Sequence, residues 1–203
     1  WASGTGPLME ASSTLLNITS DTQTFTIEAW IYPKSIQPQS PSDDYRFTSI
    51  VSQGQVYASF GYVDDGTLRW YTYGTGQTHH ISSAAGIVAT GQWQHVAVVS
   101  NAGSVKTYHN GIEVGSGSLY APSGGQSDDI HIGNADLTKQ SDAVDGFISN
   151  LRITNTAVYT AAFTSPTVPL TSISGTQLLC CQSTSSATAA TTIATGSITS
   201  AGN

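Results

Sequence analysis

Charge is scarce in this 203-residue chain: 9% of residues are Asp, Glu, Lys or Arg, against roughly a quarter in an average soluble protein. The six basic residues are scattered and the formal net charge is -7, so the Lys and Arg clusters that nucleic acid requires are missing and no nucleic-acid partner is expected. Cysteine is almost absent. The two present, Cys180 and Cys181, are adjacent, and neighbours on a strand point to opposite faces, so a mutual disulfide would be strained. Two free thiols, at least one of them buried, are expected. With no CxxC and no Cys/His pair at ligand spacing, a zinc-type centre lacks its donors. No run of 18 apolar residues occurs, so no membrane insertion is expected, and no basic-then-apolar leader is visible. The chain begins at Trp1 rather than Met, which points to processing or to a fragment of something longer, so the missing leader says little about export. Long amphipathic helical patterns are also missing; the one helical piece expected is a turn near "NTAVYTAAF" (155–163), ended by Pro166.

Ser, Thr and Gly fill the polar positions, giving a hydroxyl-rich surface rather than an ionic one. The apolar period is two: "TFTIEAWIY" (24–32), "QVYASFGYV" (55–63), "TLRWYTY" (67–73), "WQHVAVVS" (93–100), "SVKTYHN" (104–110), "DDIHIG" (128–133) and "GFISNLRIT" (146–154) read as strands. Asp65-Gly66 and Asn110-Gly111 supply the positive φ of tight type I′ hairpins. "SIQPQSPSDDYRF" (35–47) reads as a long surface loop, and another strand begins near Thr48. Many short strands without helices make an all-β sandwich or barrel. No repeat of 20 to 50 residues is present, and the length suits a single domain over 1–203, with a core over about 13–182. The tail 183–203 is low in complexity, although Ile193 and Ile198 could anchor a closing strand.

"FTIEAWIYP", "GQWQHVAVV", "VKTYHNGIEVG" and "GFISNLRITNTAVYT", in that order and spacing, resemble the laminin G-like (concanavalin A-like lectin/glucanase) jelly roll. The resemblance implies an all-β jelly-roll β-sandwich of two antiparallel sheets. "AAFTSPTVPLTSISGTQLLCCQS" (161–183) further resembles versions of this domain carried by structural and appendage proteins of marine tailed bacteriophages.

His95 lies in a strand whose two faces are both apolar, Trp93, Ala97 and Val99 on its own side and Val96 and Val98 on the other, so it is expected in a core rather than in chemistry. Glucanases that share this fold resemble one another in an E-x-D-x-x-E strand. No such string exists here: the strand glutamates, Glu28 and Glu113, lack an acidic partner at i+2, whereas retaining hydrolysis needs two carboxyls about 5 to 5.5 Å apart. The chain is therefore expected not to be an enzyme, a glycan-degrading one remaining a remote alternative.

Binding offers three candidates. Pairing across Asp65-Gly66 is expected to match Val63 with Leu68, Gly61 with Trp70 and Ser59 with Thr72, leaving Phe60, Tyr62, Arg69, Tyr71 and Tyr73 on the other face. Tyr62, Tyr71 and Tyr73 would then form an exposed shelf beside Arg69, suited to stacking on sugar rings, or else cover the hairpin under the 35–47 loop. The second candidate follows from the resemblance, which makes 24–32 and 146–154 neighbours and lets Glu28 meet Arg152, either as a structural ion pair or in a polar groove with Trp30. In 146–154 strict alternation places Phe147, Ser149, Leu151 and Ile153 on one face. Third, laminin G-like domains often hold calcium at a loop rim, and Asp128, Asp129, Asp136, Asp142 and Asp145 could supply carboxylates there or simply cap turns. No other cofactor is expected. The function expected is a non-enzymatic module of a virion appendage or capsid surface, binding host-surface glycan or other virion proteins, with a homo-oligomer one option. The alternative is a secreted or cell-surface bacterial adhesin.

Overall fold

The computed structural model describes residues 9–38, 47–54, 57–74, 76–124, 128–135 and 143–200. Its strands are β1 (Met9–Ala11), β2 (Phe25–Pro33), β3 (Thr48–Gln53), β4 (Ala58–Tyr62), β5 (Leu68–Gly74), β6 (Gln77–Ser82), β7 (Gln94–Asn101), β8 (Ser104–His109), β9 (Ile112–Ser118), β10 (Ile130–Ile132), β11 (Gly146–Thr154), β12 (Thr176–Cys180) and β13 (Ala190–Ile193). One sheet has six strands in the order β1-β10-β3-β4-β5-β6, and the other has seven, β13-β12-β11-β2-β7-β8-β9. Every pairing is antiparallel. Neighbours distant in sequence, such as β2 beside β11 and β3 beside β10, are the crossovers of a jelly-roll sandwich.

The alternation in the sequence supplies the core. Phe25, Ile27, Ala29 and Ile31 of β2 and Val96 and Val98 of β7 point inward from the seven-stranded sheet. They meet Phe60, Tyr62, Leu68 and Trp70 of β4 and β5, and the Phe25 and Trp70 rings sit 5.3 Å apart. Chain-end strands close one side: β13 pairs with β12, Ile193 packs on the core, and Thr199 bridges Glu10 of β1 beside the buried Ile198.

Two local irregularities decide which residues face outward, and both correct the simple alternation. At the first hairpin Gly66 takes φ +78° but Asp65 does not enter the left-handed region, so the turn is not the two-residue type I′ form. Gly66 N–H donates to Val63 O at 3.0 Å, Val63 N–H to Thr67 O at 2.9 Å, and Asp65 Oδ1 accepts Thr67 N–H at 2.9 Å. The loop is thus one residue longer. Tyr62 pairs with Leu68, Phe60 with Trp70 and Ser59 with Tyr71, one step from the expected register, and a one-residue slip exchanges the faces. The second irregularity is a bulge at Asn150, φ +52°, where the register jumps from Ser149 opposite Trp30 to Arg152 opposite Glu28. Ile148, Leu151 and Ile153 therefore face the core, while Phe147 and Ser149 join Arg152 on the outer face. Asn110-Gly111, by contrast, is a two-residue turn with φ +49° and +81°, the type I′ hairpin expected from the pair.

Residues 155–163 form no helical turn. They run as an irregular strap across the outer face of the seven-stranded sheet, where Ala157, Tyr159 and Phe163 pack on Ala97, Val99 and Tyr108. The Tyr159 and Phe163 rings stack 3.5 Å apart with planes 5° from parallel, so the strap lays a paired aromatic unit on the sheet. Cys180 is buried in the main core and Cys181 half-buried, both as free thiols.

Candidate functional site

The outer face of the seven-stranded sheet gathers the polar residues of β2, β7 and β11 into one row. Glu28 is fully buried at its centre. Its Oε1 accepts from Nε of Arg152 at 2.8 Å and from Nη2 of the same guanidinium, so the pair is two-pronged. Oε2 accepts from Tyr159 Oη at 2.7 Å and from His95 Nε2 at 3.1 Å. A carboxylate only accepts, so Nε2 carries the His95 proton, and His95 Nδ1 has no hydrogen-bond partner among the described residues. Arg152 Nη1 also donates to the Thr171 carbonyl at 2.8 Å. Burial alone pushes the Glu28 carboxyl up; the His95 hydrogen bond, the Arg152 charge and the Tyr159 hydroxyl outweigh it and leave it below the ordinary value. The Tyr159 phenol is pushed up, by burial first and then by the adjacent Glu28 charge. His95 is wholly buried, edge-on to Tyr159 and Phe163. Glu28 meets Arg152 and His95 is packed in a core, the structural outcome for both. With Glu28 and His95 sealed beneath the strap, the constellation ties the strap down through Tyr159.

Beyond the end of that strap the same face is aromatic. The registers place Tyr32 beside Phe147 on β11 and next to Trp93 at the entry to β7. Tyr32 and Trp93 lie edge to face with centroids 5.6 Å apart, Tyr32 and Phe147 are 5.9 Å apart, and Trp93 and Phe147 are 6.4 Å apart with planes 29° from parallel. Lys34 Nζ sits 4.6 Å over the Phe147 ring. Trp93 is 47% exposed, a large indole surface held in water. Trp30, half-buried, continues the row and touches His95 edge-on at 5.5 Å. Such rings offer flat apolar faces with polar rims, and the ammonium and the Ser149 hydroxyl opposite Trp30 stand within the same patch. The sequence reading picked out Trp30 but missed Tyr32, Trp93 and Phe147. The alternation of β2 and β7 already placed Trp30, Tyr32 and Trp93 outward together once the strands were paired, whereas the Asn150 bulge concealed Phe147.

The tyrosine shelf is corrected. Tyr62 faces the inter-sheet core and is fully buried, and Tyr71 is 1% exposed beneath Phe47, 6.1 Å away, and His80, 5.3 Å away. Tyr73 is half-buried against Tyr57, and the half-buried Arg69 lies over Phe47 at 5.8 Å. The slipped register sends Tyr62 inward, and Phe47 covers the outward phenol of Tyr71. For calcium, Asp136 and Asp142 lie outside the described residues. Asp128 and Asp129 are exposed before β10, and Asp145, at the entry to β11, accepts from the Ser35 hydroxyl at 2.6 Å. Among the described residues no three His, Cys, Asp or Glu side chains converge as metal ligands.

A helix-poor jelly roll with a sealed polar row and an open aromatic cluster on one outer face is a lectin-type β-sandwich. The chain belongs to the Laminin G 3 family, the concanavalin A-like lectin/glucanases superfamily, whose pattern matches residues 4–162. In architecture it is similar to a candidate carbohydrate binding protein from Bacteroides ovatus ATCC 8483, with TM-score 0.62 and 17% identity over 84% of this chain and 48% of that one. It is also similar to the CBM40 of the Ruminococcus gnavus IT-sialidase bound to α2,3 sialyllactose, with TM-score 0.53 and 13% identity over 77% of this chain and 88% of that one. A third similar structure is mouse laminin α1 domains LG4-5, with TM-score 0.51 and 14% identity over 78% and 43% of the two chains. The chain thus spans about half the length of the Bacteroides protein, 48%. At these identities the likeness is one of fold. No curated protein matches the chain in sequence.

Proposed function

We propose that this chain is a non-enzymatic carbohydrate-binding module whose sugar contact is the aromatic platform of Tyr32, Trp93 and Phe147, flanked by Trp30 and Lys34. The single observation that carries this reading is the exposed Trp93 indole grouped with two further rings on a rigid sheet, because exposed aromatics with few rotamers are the usual anchors of binding surfaces. The names of the Bacteroides protein and of the sialidase module add support, since both describe carbohydrate binding on this fold. The finer setting we favour is a virion appendage or capsid surface facing host polysaccharide or a neighbouring virion protein; the phage-like 161–183 segment supports it, with a secreted adhesin as the alternative. A glycan array followed by calorimetry on the hit tests the platform. Trp93→Ala should weaken binding at least tenfold, about 1.4 kcal/mol, with an unchanged melting curve. Undiminished binding by a folded Trp93→Ala, Tyr32→Ala double variant would remove the platform. For the setting, co-purification of the chain with virions is the expected result and its recovery only from bacterial cell surfaces the contrary one.

A further inference from the structure

The two sheets nearly touch along their edge strands β6 and β9. The inward positions of β9 are glycine there: Gly117 pairs with the buried Val105, and a Cβ on it would stand 3.0 Å from Ile81 Cγ1. A Cβ on Gly115 would stand 3.0 Å from the Ser82 carbonyl oxygen. Past Gly117 the edges part around a cavity of about 230 Å³. Trp70 and Thr72 of β5, Ser118 of β9, and His79 and Tyr120 are among its lining residues, and the His79 and Tyr120 rings are stacked 3.8 Å apart with planes 13° from parallel. Tyr120 is 45% exposed.

We infer that this cleft is a second saccharide site, taking one neutral sugar ring. Its volume falls below the roughly 300 to 1,000 Å³ of pockets that hold drug-sized ligands, which admits a single ring and not a chain. Among the described residues lining it there is no Lys, Arg, Asp or Glu, so a charged ligand finds no counter-ion. The exposed phenol of Tyr120, braced on His79, offers an apolar ring face, and Thr72, paired with His79 on the inward side of β5, brings a hydroxyl group to the lining, which matches the apolar face and hydroxyl rim of a sugar. The site belongs to different strands from the platform, so one chain would hold a glycan at two points and gain by effective concentration.

The test is a two-dimensional amide NMR titration with glucose, galactose, mannose and N-acetylglucosamine, with glucuronic acid as the charged control, to roughly ten times millimolar dissociation constants. At least one neutral sugar should shift the amides of His79, Gly117 and Ser118. Tyr120→Ala and His79→Ala, each checked for fold by its own spectrum, should weaken those shifts at least tenfold, and Trp93→Ala should leave them unchanged. Shifts confined to Tyr32, Trp93 and Phe147 would overturn the cleft and sustain the platform. Shifts at the cleft from glucuronic acid alone would overturn the neutral class. Silence at the cleft with every sugar would overturn the site, whatever the platform does.

Discussion

Glu28→Gln removes one charge from the sealed cluster while keeping the side chain's shape, so it isolates what the ion pair contributes. In the variant the amide oxygen still faces the Arg152 guanidinium, and the Thr171 carbonyl still accepts from Nη1. The guanidinium is nevertheless left in a 5% exposed site without its counter-charge. Breaking a buried pair by removing one partner costs about 3 to 5 kcal/mol, and the two retained acceptors place this case near the lower end, about 3 kcal/mol. His95 suffers too. The glutamine amide that replaces Oε2 donates, so His95 must accept at Nε2 and carry its proton on Nδ1, which has no partner among the described residues. At about 2 to 4 °C per kcal/mol for a chain of this size, thermal unfolding followed by circular dichroism should shift down by roughly 6 to 12 °C. A double variant, Glu28→Gln with Arg152→Met, should recover most of the loss, because no unpaired charge then remains. Acid adds a second readout. The Glu28 carboxyl lies below the ordinary value of 4.5, so it contributes stability that is full above that pH and is lost as pH falls through its folded value. Glu28→Gln should therefore flatten the acid limb of the stability profile. A loss under about 1 kcal/mol, with the acid limb unchanged, would refute the sealed cluster and mean that water solvates the pair.

Gly111→Ala places a Cβ 1.8 Å from the Phe163 carbonyl oxygen at φ +81°, so it should cost at least about 2 kcal/mol by urea unfolding. Gly91→Ala, at φ +75° with nothing within 4 Å, carries the backbone strain alone, about 1 kcal/mol, and equal losses at both would contradict the strap contact. His95→Ala should lower the melting temperature, by a cavity and a lost donor worth about 2 to 4 kcal/mol, and leave platform binding within twofold. Tyr71→Ala should behave as a core truncation costing about 3 kcal/mol and leave glycan affinity alone; weakened binding at full stability would restore the tyrosine shelf.

Where alternation was regular the sequence was legible: β2 and β7 alternate without a break, so their inward rows and the outward Glu28, Trp30 and His95 follow from parity. The meeting of Glu28 with Arg152 followed too, because the likeness supplied the neighbouring strands. What parity cannot show is a place where the count slips. Asp65-Gly66 announces positive φ at one residue and says nothing of Asp65, and the extra residue in the loop turned Phe60 and Tyr62 inward while Tyr71 kept its outward face. The Asn150 bulge did leave a trace, for Ile148, Leu151 and Ile153 are spaced three and then two. An asparagine, tolerant of positive φ, stands in the longer gap.

That bulge also bears on where the binding surface can lie. A strap without a backbone ladder needs side chains to hold it, and the face beneath supplies them: Thr26 Oγ1 donates to Thr156 O at 2.8 Å and accepts Val158 N–H at 3.0 Å, and Glu28 takes the Tyr159 hydroxyl. At the far end Asn150 Oδ1 accepts Leu170 N–H at 2.9 Å, a bond available because the bulge sets this residue off the regular pleat. Thr26 and Glu28 are thus engaged in pinning the strap that covers this half of the sheet. Beyond the strap Trp93 is 47% exposed, and leaving an indole in water costs hydrophobic free energy. The fold buries Phe25, Phe60 and Trp70 almost completely yet leaves this indole open, braced by Tyr32 and Phe147, and that contrast is the reason the proposed sugar contact is placed on it.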